Sequence, residues 1–132
     1  MKTSFTIPIP QKISTNSIYA GVHWTKRKAF KDLMLLSTHN QFKASAKHNC
    51  RVSLSFLFTF KSRPLDSSNC SYMAKVIEDC MVHYGILKDD TIKSVKSVTF
   101  ESQKGDRDEC EVIIHWLIPN FLLPNPPRQP PY

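Results

Sequence analysis

The 132-residue chain is 41% apolar and carries 18 Lys and Arg against 11 Asp and Glu, a formal charge of +7. That length fits one domain with a modest core, and the apolar content lies outside the disordered range. No segment approaches the eighteen or so apolar residues that cross a bilayer, so no membrane partner is expected, and the basic balance favours a polyanion such as nucleic acid.

Met1-Lys2-Thr3-Ser4 leads into a strand-like segment with no secretory apolar region, which predicts a cytoplasmic protein. Ser4-Phe5-Thr6-Ile7-Pro8-Ile9 alternates polar and apolar residues, and Pro8 places that strand at a sheet edge or at its end. A polar loop rich in Ser, Thr and Asn follows from Pro10 to Tyr19. From Trp24 to about Ala46 the pattern is helical, with Thr25 as candidate N-cap and Phe30, Leu33, Met34 and Phe42 at three- or four-residue steps. Val52 to Phe60 alternates again, with Val52, Leu54, Phe56, Phe58 and Phe60 on one face.

Ser68 to Tyr84 reads as a second helix with the stripe Tyr72, Met73, Val76, Ile77, Cys80, Met81 and Tyr84, ended by Gly85. Two more strands are expected at Ile92 to Glu101 and Glu109 to Leu117, joined as a hairpin through Lys104-Gly105-Asp106. The order β-α-β-α-β-β predicts a single α/β (α+β) domain over residues 1–118, with a mixed sheet flanked by two helices. From Pro119 on, the chain carries six of its nine prolines and no periodicity, which reads as a Pro-rich tail at 119–132.

The four cysteines, Cys50, Cys70, Cys80 and Cys110, are irregularly spaced and form no CxxC pair, which suits reduced, buried thiols and not a zinc site. The acidic residues are more telling. Asp66 precedes the second helix, Glu78 and Asp79 lie on it, and Asp89 and Asp90 follow it, with Lys75 one turn before Asp79. A nuclease needs carboxylates to hold Mg²⁺, which activates water, and a nearby cation for the developing negative charge. The same residues also suit plainer roles: a helix cap, an i,i+4 surface pair and turn residues.

Three segments carry a resemblance to a known family. They are Phe5-Thr6-Ile7-Pro8-Ile9-Pro10 with Ser14-Thr15-Asn16-Ser17-Ile18-Tyr19, then Met73-Ala74-Lys75-Val76-Ile77-Glu78-Asp79, then Gly85-Ile86-Leu87-Lys88-Asp89-Asp90. In that order and spacing the chain resembles, as a divergent member, the RusA family of Holliday junction resolvases (crossover junction endodeoxyribonucleases), over about residues 4 to 117. The resemblance implies a homodimer that binds four-way DNA junctions in recombination and repair and cuts them with Mg²⁺ or Mn²⁺, in a bacterial or phage-infected cell. By position Asp90 matches a metal-binding aspartate, Lys75 matches the family's helix lysine, and Asp89 stands beside Asp90 to orient it. The family's Asp-x-Asp-Asn motif has aspartates six and four residues before that lysine, where this chain has Asn69 and Ser71. Asp66 is the nearby acidic residue, with Asn69 in place of the motif's Asn.

The expected catalytic set is therefore Asp66, Lys75 and Asp90, and the expected metal ligands are Asp66, Asp89 and Asp90. For DNA, Lys26 and Arg27 (with Lys28 and Lys31 beside them), Arg63, Asn69 and the Ser14, Asn16 and Tyr19 loop offer groups for phosphate contacts. Two other readings stay open: a branched-DNA-binding relative that has lost catalysis, and a protein-interaction domain that docks through the Pro-rich tail.

Overall fold

The structure, a computed structural model, describes residues 1–117. Four strands, β1 (Lys2–Pro8), β2 (Val52–Phe60), β3 (Val95–Lys104) and β4 (Glu109–Trp116), form one mixed sheet in the order β1-β4-β2-β3. Among the described residues three helices accompany them, α1 (Thr15–Tyr19), α2 (Trp24–Lys43) and α3 (Ser71–His83), and a 3-10 turn at Ser67–Cys70 runs directly into α3. The mixed α+β sheet domain expected from the sequence is present. The expected Pro-rich tail at 119–132 lies outside the described residues.

β2 and β4 are the two inner strands, and β2 is paired parallel to β3 and antiparallel to β4. Its alternation puts Val52, Leu54, Phe56, Phe58 and Phe60 on the buried face. Register carries that face across the sheet: Phe56 stands between Val112 and Phe100, and Val112 in turn pairs with Phe5. Phe30, Met34 and Phe42 of α2 and Met73, Ile77 and Met81 of α3 close the core over this face. The other face remains polar, with Ser4, Thr6, Ser97, Thr99 and His115 exposed. β1 is an edge strand, which is where its Pro8 belongs, since a missing N–H costs nothing on an unpaired side.

α3 stops as the sequence predicts. Gly85 takes φ +79°, its N–H donates to the carbonyl of Val82 at 3.0 Å, and the N–H of Ile86 donates to that of Met81 at 2.9 Å. This pair of bonds satisfies two end carbonyls, and only glycine takes that φ without steric cost.

Several expectations need correction. The Lys104-Gly105-Asp106 turn does not close a hairpin between β3 and β4, because β2 lies between them. Lys104 pairs with Phe60 and Glu109 with Thr59, so residues 105–108 pass over the end of β2. Two strand spacings are about 9.6 Å, within reach of four residues at about 3.3 Å each. The crossing is fastened by Gly105 N–H to the Phe60 carbonyl (2.9 Å), Lys61 N–H to Asp108 Oδ1 (2.8 Å) and Ile9 N–H to the Asp108 carbonyl (2.9 Å).

The N-cap of α2 is His23, not Thr25: its Nδ1 accepts from the Thr25 N–H at 3.2 Å. The polar loop from Pro10 contains α1, capped by Ser14, whose hydroxyl accepts from Ser17 N–H. Other bounds shift by a few residues: α2 ends at Lys43 and β3 starts at Val95.

Candidate functional site

α3 carries its apolar residues inward, which leaves Lys75 and Asp79 on an adjoining, more exposed flank one turn apart. The loop after Gly85 returns along that flank and brings Asp90 to Lys75, so that the lysine ammonium donates to Asp90 Oδ2. The same ammonium lies 3.4 Å from Asp79 Oδ1 and 3.8 Å from Glu78 Oε1. Lys31 reaches over from α2 to within 3.8 Å of Asp79 Oδ2. Three carboxylates thus share two ammoniums, which leaves the cluster one negative charge in excess when all are ionised. A cleft of about 330 Å³ opens here, bounded by Lys31, Leu35, Asp79, Val82, His83 and Asp90.

The charges set the protonation of the cluster. Burial opposes the charge on Lys75, but the hydrogen bond to Asp90 and the charges of Asp79, Glu78 and Asp90 outweigh it and raise its pKa. Asp90 is held below its ordinary value by the Lys75 hydrogen bond and then by the lysine's charge. Glu78, only 7% exposed, is raised by burial, with Asp90 and Asp79 adding to the effect and Lys75 opposing it. The site therefore holds a protonated lysine against an ionised Asp90 throughout the neutral range.

Asp89 serves the loop. Its Oδ1 accepts from the N–H (3.0 Å) and hydroxyl (2.6 Å) of Thr91, and the Thr91 carbonyl accepts from Val95 N–H at 2.9 Å. These bonds fix the turn that presents Asp90. Asp66 stands elsewhere. It precedes the 3-10 turn, caps nothing with its side chain and borders a separate cleft with Leu65, Phe100, Glu101 and Ser102. The structure thus brings together Lys75 and Asp90 of the expected set and leaves Asp66 apart.

The expected DNA-contact residues divide as well. Lys26 and Arg27 are exposed on the first turn of α2, and the Arg27 charge acts on Tyr72 of α3, next to the cluster. Ser14 is spent as the α1 cap, while Asn16 and Tyr19 are exposed. Thr15 does what the sequence did not signal. Its hydroxyl meets the Ser71 hydroxyl at 2.8 Å, donates to the Asn69 carbonyl at 3.1 Å and accepts from Tyr72 N–H at 3.0 Å, which docks α1 on the start of α3. Arg63 is exposed nearby, its carbonyl accepting from Lys12 at 2.9 Å. Spacing alone did not join Lys31 and His83 to the site, whereas Glu78 and Asp79 stood in the acidic group read from the sequence but outside the expected ligand set. Asp79 and Lys75 were visible as an i,i+4 pair, but the approach of Lys31 and His83 depends on how α2 packs on α3.

Among the described residues no group of three or more His, Cys, Asp or Glu side chains is arranged as a metal site. Two carboxylates do converge, since Asp79 and Asp90 approach one ammonium. Hard oxygen donors in that number fit Mg²⁺, which is usually held by one or two carboxylates together with substrate phosphates. Set beside protein families and curated proteins, the chain matches none.

Proposed function

We propose that the chain is a Mg²⁺-dependent, structure-selective endonuclease that acts on four-way DNA junctions as a homodimer. The observation that carries this reading is the convergence of Asp79 and Asp90 on Lys75 in a cleft bordered by Lys31. Asp79 and Asp90 would hold the metal, which when bound supplies an activated water and charge stabilisation at the scissile phosphate. Lys75, kept protonated by its neighbours, would place a positive charge beside the oxygens that gain charge as the phosphodiester breaks. Arg27 and Lys31, on successive turns of α2, would neutralise backbone phosphates and orient the strand over the cleft. The RusA-like dimer would present two equivalent clefts, which suits a junction with its own approximate two-fold symmetry.

The test is incubation of a labelled four-way junction and a matched linear duplex with the protein in Mg²⁺, Mn²⁺ or EDTA. Paired, metal-dependent incisions of the junction alone are expected, and a duplex cut as readily would overturn junction selectivity. A second reading has an observation of its own. Asp66 lies apart from Asp90, and the two positions where the family has aspartates are structural here, the Asn69 carbonyl and the Ser71 hydroxyl both engaging Thr15. On that reading the chain binds junctions without cutting them, and junction affinity persists in every metal condition while no product forms.

A further inference from the structure

α2 and α3 pack on one face of the sheet, and the other face is half-buried to exposed along most of its length. Strand register sorts the charges on this outer face by end. Lys2 stands beside His115 at one end, while Glu101, Glu109 and Glu111 occupy the other half, with Ile113 and Leu57 near the middle. No Lys or Arg stands at the paired positions of the glutamate half. Among the described residues neither Lys2 nor any of these glutamates has an ion-pair partner. The hydroxyls between them are already satisfied across the strands. Ser97 donates to Ser53 and Thr99 to Ser55, each at 2.9 Å, and Gln103 Nε2 donates to Thr59 at 3.0 Å. Covering this face therefore strands fewer polar groups than its composition suggests. A face that only meets water needs neither the sorting of charge nor the paired hydroxyls.

We propose that a second copy of the chain docks on this face, sheet against sheet with the strands reversed. A two-fold axis lying across the strands sets Lys2 and His115 of each copy over the glutamate half of the other, which makes the face complementary to itself. An axis along the strands would set basic end on basic end and glutamates on glutamates, so the charges select the first arrangement. Four strands about 4.8 Å apart, over eight residues of about 3.3 Å, give a flat area of roughly 500 Å² per copy. The total of about 1,000 Å² is the lower bound of a specific interface, so the dimer is weak and salt-sensitive. The inference rests on the homodimer half of the reading above and names the surface that forms it.

The experiment is sedimentation equilibrium of the full chain at low and high salt, with circular dichroism as the check on folding. The parent should dimerise below about 100 µM at low salt, the weak range expected of so small an interface. Glu109→Lys with Glu111→Lys makes the face basic, and Lys2→Glu with His115→Glu makes it acidic. Each double variant alone should associate at least roughly tenfold more weakly than the parent, through like-charge repulsion, and an equal mixture of the two should recover a heterodimer. A mixture that stays monomeric would overturn the proposal. So would a parent that stays monomeric, whether the face takes DNA, another segment of the chain or water. Dimers in both variants alone defeat this interface and leave the homodimer of the nuclease reading standing. A charge-dependent dimer that binds no junction upholds the interface and defeats the nuclease reading alone.

Discussion

Gly105→Ala probes the crossing of β2 by the chain between β3 and β4. A Cβ built there would lie 2.4 Å from Thr59 Cγ2, more than 1 Å inside the optimum carbon–carbon separation of about 3.5–4.0 Å. Neither side yields freely. The Gly105 N–H is bonded to the Phe60 carbonyl, and Thr59 is buried with its Oγ1 accepting from Gln103 Nε2 at 3.0 Å. Turning the threonine away would forfeit that bond, about 1 kcal/mol, and a half-turned rotamer would cost about as much. The substitution should therefore destabilise the domain by roughly 1–3 kcal/mol, the usual range for overpacking. Thr59→Ser removes the offending methyl and keeps the hydroxyl, at a cost of about 0.8 kcal/mol for the lost buried group. The two substitutions together should cost less than their sum by about 1 kcal/mol or more, since the methyl that clashes is gone. Urea unfolding followed by tryptophan fluorescence measures all four proteins. Additive losses, or a Gly105→Ala protein as stable as the parent, would refute the crossing.

Three other outcomes follow from the same packing. Tyr84→Phe removes the bond from its hydroxyl to the Leu35 carbonyl (2.7 Å) that ties α3 to α2, and should lower unfolding stability by about 1 kcal/mol; no change in urea midpoint would show the bond to be idle. Because burial raises the pKa of Glu78, its folded state holds a proton more tightly than the unfolded chain. Its contribution is thus greatest below about pH 4.3 and fades as pH rises through the raised value, so parent stability relative to Glu78→Gln should fall from pH 4 to 7, and a rise would contradict the assignment. Burial pushes the thiols of Cys70 and Cys80 up to about 11 and raises that of Cys110 well above its ordinary value, while Cys50 is half-buried. A colorimetric thiol reagent at pH 8 should titrate one group quickly in the native protein and all four after unfolding; three or more fast groups would show the core to be open.

What the sequence discloses is the part of the fold written in local periodicity. The alternation of Val52 to Phe60, the α3 stripe and the Gly85 stop all depend on neighbours in the chain, and all are present in the structure. Strand order is a different kind of information. A short turn after Lys104 has the same local chemistry whether it joins adjacent strands or spans one, and the choice rests on Phe60 and Thr59 filling the space between. α1 was hidden because Thr, Asn and Ser are weak helix formers, and it is held by the Thr15 bonds to residues more than fifty positions away. At the site, Lys75 and Asp90 were legible as a motif, whereas the place of Asp66 depended on whether the residues before α3 form a helical turn. They do, as a 3-10 turn, and Asp66 ahead of it borders a cleft of its own.

In the proposed nuclease, Asp79 and Asp90, gathered on Lys75, would form the reacting centre, with Asp66 outside it. The most direct measurement compares junction-cleavage rates in Mg²⁺ for Asp79→Asn, Asp90→Asn and Asp66→Asn, with junction affinity recorded in EDTA for each. Asp79→Asn and Asp90→Asn are expected to lose cleavage by roughly a hundredfold or more while binding the junction, and Asp66→Asn to cut within a fewfold of the parent. Loss of cleavage in Asp66→Asn with activity retained in Asp79→Asn would contradict it.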